Sequence, residues 1–231
     1  FSVEGPTGNR FIIRSRMLND AELEAFVARR FAEVDFDGKN VVLIVPDGTR
    51  SCPLPLMLAT VHRHLADRVA SLTCVIALGT HSYMEPDEID RWFGVGEGQT
   101  LESLYPGMKV VNHEFLDPDK IVTIGTLSAA QVKDLSDGSM EEEVVVEMNR
   151  YVVEADINLV IGPVFPHEVV GISGGNKYFI PGCSTHDAID LSHWVGALIG
   201  VEGMIGTSGI TPVRKIINAG VDLMDMPKLA L

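Results

Sequence analysis

Short runs of apolar residues alternate with segments of helical periodicity, and this alternation is the strongest constraint on the fold. Residues 41–45, 73–78 and 157–161 form three such runs, rich in Val, Ile and Leu. Runs of this kind are typical of strands that are buried on both faces of a sheet. Since helical patterns separate them, the sequence predicts an α/β fold, a mostly parallel sheet with helices on both faces.

Composition and charge exclude several classes of partner. The 231-residue chain has 32 Asp and Glu against 18 Lys and Arg, a formal net charge of −14. This charge repels nucleic acid and anionic membranes, and we expect neither as a partner. No apolar run reaches the roughly 20 residues that cross a bilayer. Three unevenly spaced cysteines without a CxxC pair indicate a reducing compartment, so we expect a cytoplasmic protein.

Polar side chains follow each of the three apolar runs. Asp47, Thr49 and Arg50 come after the first, His81 after the second, and His167 a few residues after the third. In parallel sheets, ligands bind beyond the carboxyl ends of the strands. His81 and His167 can act as general bases near neutral pH, and Arg50 suits a carboxylate or a phosphate. We therefore predict one site at this edge of the sheet.

The segment 162–194 joins the third strand to a helix and contains the densest group of candidate residues. Gly174 and Gly175 allow positive φ and a close approach of the backbone to a ligand, and Lys177 follows directly. The helix that follows can receive an anion at its N-terminus. His193 lies within this helix, where a lone histidine is more often a structural group than a ligand.

Other chemistries have weaker sequence support. HExxH, paired CxxC and GxGxxG motifs do not occur in the chain. His113, beside Glu114, leaves open a conventional divalent-metal site that combines His81, His113 and His167. A binding domain that keeps the fold without catalysis is a further alternative.

Five segments keep a common order and spacing: Asp47-Gly48-Thr49-Arg50, Gly79-Thr80-His81, His167, Ser173-Gly174-Gly175-Asn176-Lys177 with Pro181-Gly182, and His193. In this order the chain resembles the nickel-dependent lactate racemase family, as far as about residue 212. The resemblance implies a Rossmann-like N-terminal domain of a two-domain enzyme, a 2-hydroxy-acid racemase or epimerase. Residues 1–231 would form this cofactor-binding domain, with the C-terminal domain absent.

The cofactor implied by the resemblance is a nickel-pincer nucleotide, a pyridinium-3,5-bisthiocarboxylic acid mononucleotide that holds nickel. The resemblance implies attachment at Lys177 through a thioamide, His193 as the protein ligand on nickel, and Gly174 and Gly175 in the phosphate-binding turn. It also implies that separate cofactor maturation enzymes act on the chain.

The same resemblance implies roles for the residues at the strand ends. His81 and His167 would be acid/base residues on the two sides of a 2-hydroxy acid. Asp47, Thr49 and Arg50 would contact the cofactor phosphate or the substrate, in a division that the sequence leaves open. Reversible transfer of hydride from the substrate to the cofactor would invert the carbon centre.

Two departures from the family bear on the substrate. Ser82, followed by Tyr83, stands where lactate-specific members commonly have Arg, and Asn176 stands at another position where Arg is common. These changes favour a related 2-hydroxy acid, larger or sugar-derived, at least as strongly as lactate.

Overall fold

The computed structural model describes residues 2–4, 10–12, 18–200, 202, 204–207 and 209–231. The chain divides into two compact units, Phe1–Asp35 and Phe36–Leu231. In the first unit, strands β1 (Ser2–Glu4) and β2 (Arg10–Ile12) pair antiparallel, and helix α1 (Asp20–Phe31) follows. Asn19 and Glu22 form a reciprocal capping box at the start of α1, as their residue types and spacing in the sequence indicate.

The second unit contains a sheet of five parallel strands. In chain order they are β3 (Asn40–Pro46), β4 (Ser71–Ala77), β5 (Met108–Asn112), β8 (Ile157–Val160) and β11 (Lys228–Ala230). The order across the sheet is β11-β8-β3-β4-β5, and every neighbouring pair is parallel. This is the doubly wound, Rossmann-like order, in which the chain starts at the centre and fills the two sides in turn. The parallel sheet predicted from the apolar runs is therefore confirmed.

Helices cover both faces of this sheet. They are α2 (Leu54–Leu65), α3 (Pro86–Phe93) and α4 (Leu101–Leu104) in the first half, and α7 (His186–Ile199) and α8 (Pro212–Val221) in the second. Val42 and Ile44 belong to a core cluster that includes residues of α7 and α8. Leu43 and Val45 alternate with them along β3, so they point to the opposite face, where both are fully buried.

An excursion with its own pair of antiparallel strands lies between β5 and β8. A 3-10 turn (Pro118–Lys120) is followed by β6 (Ile121–Leu127), α5 (Ala129–Leu135), β7 (Val144–Asn149) and α6 (Arg150–Glu154), and β6 pairs antiparallel with β7. The polar, glycine-containing sequence of 131–139 indicates a surface excursion, and the sequence alone does not decide between strand and helix over 144–147. Part of the segment 131–139 is helical, because Ser128 and Gln131 cap α5 and Val132 is fully buried.

None of the helices in the described part of the chain combines the length and the apolar character of a bilayer-spanning segment.

Candidate functional site

The predicted site residues meet at a cavity of about 330 Å³ at the carboxyl edge of the sheet. β3 and β8 are neighbours, but the chain continues from them to opposite sides of the sheet, so the loops after them diverge and leave a crevice. Seven predicted site residues line this cavity: Asp47, Arg50, His81, His167, Gly174, Lys177 and His193.

Two predicted site residues lie outside the cavity wall. Thr49 lines an adjoining groove of about 770 Å³, whose wall also includes Asp47 and His81. Gly175 begins the 3-10 turn that carries Lys177 and lines neither space. Neither residue faces the cavity itself.

Asp47 orients His81. The carboxylate of Asp47 is 5% exposed, and its Oδ2 lies 2.5 Å from Nδ1 of His81. Its Oδ1 accepts the backbone N–H of Thr49 at 3.0 Å and the Thr49 hydroxyl at 2.5 Å. Burial raises the pKa of Asp47, but the hydrogen bonds from His81 and Thr49 outweigh burial and hold it below its usual value. An ionised carboxylate only accepts, so Nδ1 of His81 donates, and Nε2 is the nitrogen that holds the lone pair in the neutral ring.

In His193, which lies on helix α7, Nε2 is again the ring nitrogen without a hydrogen-bond partner in the described part of the chain. Its Nδ1 lies 2.8 Å from the carbonyl oxygen of Ile189, one turn earlier in α7. A carbonyl only accepts, so Nδ1 donates and Nε2 holds the lone pair. A backbone carbonyl on the far nitrogen is the usual support of a metal-binding histidine.

His167 has the opposite arrangement. It ends β9 (Pro166–His167), which pairs with β10 (Gly171–Ile172), and its Nδ1 accepts the backbone N–H of Val169 at 3.0 Å. Glu168 Oε2 lies 3.7 Å from the same nitrogen, beyond hydrogen-bond range, so the N–H of Val169 determines the tautomer. The neutral ring therefore carries its proton on Nε2.

Burial and positive charge keep the His167 ring neutral. Its side chain is 12% exposed. Burial, the charge of Lys177 and then those of Arg50 and His193 lower the pKa of His167 to about 4, while the charge of Glu168 opposes them.

Lys177 lies in the 3-10 turn Gly175–Tyr178. The turn starts from Gly174, which has φ +86° and where an added Cβ would lie 2.5 Å from a methyl group of Val164. Burial and the charges of Arg50 and Arg214 lower the pKa of Lys177 to about 8, against the opposing charge of Glu168. A substantial fraction of this amine is therefore neutral, and thus nucleophilic, near neutral pH.

The sequence did not indicate the role of Arg214. This residue of α8 donates from Nη1 to the carbonyl of Gly174 at 3.1 Å and from Nη2 to the carbonyl of Ile172. It thereby ties α8 to the glycine turn before Lys177. This contact depends on chain folding, because it joins segments that are about 40 residues apart in the sequence.

The alternative metal site that included His113 is wrong. His113 is fully buried and does not line the cavity. Its Nε2 lies 3.0 Å from the carbonyl of Ser184, and its Nδ1 lies 3.2 Å from the amide nitrogen of Asn149. Both ring nitrogens are therefore occupied. Over the described ranges, no three His, Cys, Asp or Glu side chains come together as a metal-binding group.

Comparison with known proteins gives two lactate racemases as relatives. That of Thermoanaerobacterium thermosaccharolyticum is 29% identical over 169 residues, which cover 71% of this chain and 34% of the relative. That of Lactiplantibacillus plantarum is 24% identical over 156 residues, which cover 67% of this chain and 32% of the relative. The chain thus spans about a third of the length of these curated relatives.

Two solved structures are similar to this chain. A crystal structure of a Thermotoga maritima protein has a TM-score of 0.79 at 28% identity, over 93% of this chain and 50% of that one. The lactate racemase apoprotein of Thermoanaerobacterium thermosaccharolyticum has a TM-score of 0.62 at 22% identity, over 90% and 49%. The second likeness supports the α/β fold.

A family model described as the lactate racemase N-terminal domain matches residues 17–202, which are most of the chain and include every predicted site residue. The match confirms the resemblance that the sequence motifs indicated. The chain belongs to the lactate racemase N-terminal domain family.

Proposed function

We propose that this chain is the cofactor-binding part of a racemase or epimerase of 2-hydroxy acids. The observation that carries the proposal is the meeting, in one cavity, of an amine of low pKa at Lys177 and a free Nε2 at His193. The first suits covalent attachment of a cofactor and the second suits a metal ligand. The similarity to lactate racemases gives the reaction class.

The residues present fit a nickel-pincer nucleotide. Lys177 would hold it through a thioamide, and His193 would add one imidazole to the sulfur and carbon donors of the pincer, a soft donor set that suits square-planar nickel. Arg50 and Arg214 place positive charge near Lys177, where the nucleotide phosphate can be held. When bound, this cofactor accepts and returns hydride, which a 2-hydroxy acid requires because its Cα–H is only weakly acidic.

The side chains at the strand ends would handle the substrate. His81 offers a lone pair for the hydroxyl proton, and the carboxylate of Asp47 would stabilise the imidazolium that forms. Arg50 lines the same cavity and suits the carboxylate of the substrate. Asp47 itself is occupied by His81 and Thr49, so its role is orientation instead of direct contact with a phosphate.

The adjoining groove favours a substrate larger than lactate. It is lined by Ser82, Tyr83, Met84 and Trp92 and shares His81 with the main cavity. A large substituent on Cα of the 2-hydroxy acid, bound beside His81, could therefore extend into this groove. This arrangement agrees with the departures of Ser82 and Tyr83 from the lactate-specific pattern.

Intact mass spectrometry tests the attachment. The chain is produced with and without the cofactor maturation enzymes, alongside Lys177→Ala and a surface control, Lys133→Ala. We expect an adduct of several hundred daltons only with the maturation enzymes, in the parent and the control but not in Lys177→Ala, and nickel in the same samples. An adduct that persists in Lys177→Ala contradicts the attachment site, and no adduct in any sample favours a non-catalytic binding domain.

A further inference from the structure

We propose that, in the chain without cofactor, Lys177 condenses reversibly with a 2-oxo acid to form an imine, so that the oxidised form of the substrate blocks the amine that takes the cofactor. The choice of acid rests on the proposed function, since removal of two hydrogens from a 2-hydroxy acid gives a 2-oxo acid. The imine itself needs only the side chains of this chain.

The cavity around Lys177 collects positive charge in a chain whose net charge is −14. Arg50 and Lys177 both line the cavity, and Arg214 is close enough to act with Arg50 on the pKa of Lys177. Glu168 is the acidic group that opposes these charges, and its side chain is 62% exposed. A cavity of about 330 Å³ with this charge suits a small organic anion, whose carboxylate can pair with the guanidinium of Arg50.

An amine in these surroundings is suited to attack a carbonyl group. Burial and the nearby cations lower the pKa of Lys177 to about 8, which leaves part of the amine neutral near neutral pH. In imine formation the nitrogen lone pair forms a bond to the carbonyl carbon, and the C–O π pair moves to oxygen. That oxygen then leaves as water with two protons, which balance the two protons that the amine nitrogen loses. The step therefore needs no oxidant or reductant.

His167 offers a hydrogen-bond donor for the oxygen that leaves. Its Nδ1 accepts the backbone N–H of Val169 at 3.0 Å, so the neutral ring carries its hydrogen on Nε2. His167 lines the same cavity, and it is close enough to Lys177 and Arg50 for their charges to lower its pKa. An N–H donor stabilises the negative charge that develops on the carbonyl oxygen when the amine adds.

An imine and the proposed thioamide use the same nitrogen of Lys177, so each excludes the other. A high concentration of the oxo acid would therefore delay attachment of the cofactor. Hydrolysis of the imine would restore the amine when the concentration of the oxo acid falls, because imine formation is reversible. The cavity would thus couple cofactor loading to the level of the oxidised substrate.

Reductive trapping tests the imine in the chain produced without the maturation enzymes. The chain is incubated near neutral pH with pyruvate, a small 2-oxo acid, and cyanoborohydride, which reduces an imine to a stable secondary amine. Methyl pyruvate is the matched reagent, because it has the same keto group without the carboxylate charge. Mass spectrometry of peptides gives the label at Lys177 relative to that at Lys133, a half-exposed lysine that pairs with Glu141.

We expect the label at Lys177, relative to Lys133, to be about tenfold higher with pyruvate than with methyl pyruvate, since a charged hydrogen bond to the carboxylate is worth about this factor. Lys177→Ala should lose this label. Arg50→Gln should remove the preference for pyruvate, whereas Arg68→Gln, away from the cavity, should keep it. Comparison of the two reagents cancels the change that Arg50→Gln makes in the pKa of Lys177. Equal labelling by both reagents in the parent chain, or a preference that Arg50→Gln leaves unchanged, would overturn the proposal.

The block on cofactor attachment is measured separately. Pyruvate without the reductant is added while the maturation enzymes act on the purified chain. The initial rate of adduct formation should fall as pyruvate is added and recover after the pyruvate is removed, and a rate that pyruvate leaves unchanged would refute the block.

The trapping experiment and the mass test of cofactor attachment fail independently. Trapping requires only the chain and the oxo acid, so a missing label at Lys177 overturns the imine and leaves the proposed function intact. A missing cofactor adduct contradicts the proposed function and leaves a trapped imine in place.

Discussion

The amine of Lys177 should titrate far below an ordinary lysine in the native chain, and this can be measured before any cofactor is attached. Burial and the neighbouring cations lower its pKa from 10.5 to about 8. At pH 7 roughly a tenth of the amine is then neutral, about 300-fold more than for a lysine of ordinary pKa. Because the neutral amine is the nucleophile, its acylation should remain fast well below the pH at which other lysines react.

The assay is competitive acylation with a small reagent at a series of pH values, with peptide mapping by mass spectrometry. Partial burial slows access to Lys177, so the midpoint of the rate against pH is the quantity to compare, and not the absolute rate. We expect a midpoint near pH 8 in the native chain and the ordinary lysine value in urea. The urea sample is the internal control, because unfolding removes both burial and the nearby charges.

Arg50→Gln tests the cause of the lowered pKa. Removal of one positive charge near Lys177 should raise the midpoint toward that of ordinary lysines. Arg68→Gln is a matched control, since Arg68 pairs with Asp37 away from the cavity. A native midpoint near pH 10, or one that Arg50→Gln leaves unchanged, would refute this account of the electrostatics.

Two substitutions test the packing around the cavity, and a change of pH tests the protonation of His167. Gly182→Ala would place a Cβ against backbone atoms of the turn that carries Lys177, and we expect the free energy of unfolding in urea to fall by about 2–4 kcal/mol. Gly209→Ala is the control, because an added Cβ meets no atom there. Equal losses in the two variants would contradict the close contact at Gly182. Arg214→Met should cost about 2–3 kcal/mol, because two carbonyl partners lose a charged donor, and a loss below about 0.5 kcal/mol would show that these bonds contribute little. The pKa of His167 is about 4 in the native chain, against 6.5 for an ordinary histidine. As pH falls from 6.5 toward 4, the unfolded chain therefore binds a proton at His167 and the native chain does not, so the free energy of unfolding decreases. At pH 5 the loss relative to pH 7 is about 2 kcal/mol, which His167→Gln should remove and exposed His186→Gln should not.

Much of the fold was readable from the chain because it follows from local patterns. The apolar runs that became β3, β4 and β8 are buried on both faces, and that burial requires continuous apolar sequence. The cap at Asn19 and the positive φ of Gly174 were also visible, since each depends on a few adjacent residues. The helix within 131–139 was not visible in the sequence, because it is held by its cap and by one buried valine among polar residues.

The gathering of His81, His167, Lys177 and His193 at one edge also followed from the sequence, because the carboxyl ends of parallel strands meet at a common edge. The protonation and orientation of these side chains did not follow from the sequence. Which nitrogen of each histidine is free depends on Asp47 and on backbone groups that face the ring, and the tie from Arg214 to the glycine turn joins segments far apart in the chain. Residue types and their spacing determined where these groups meet, whereas their protonation and orientation were decided by tertiary contacts, since hydrogen-bond partners and burial arise only when the chain is folded.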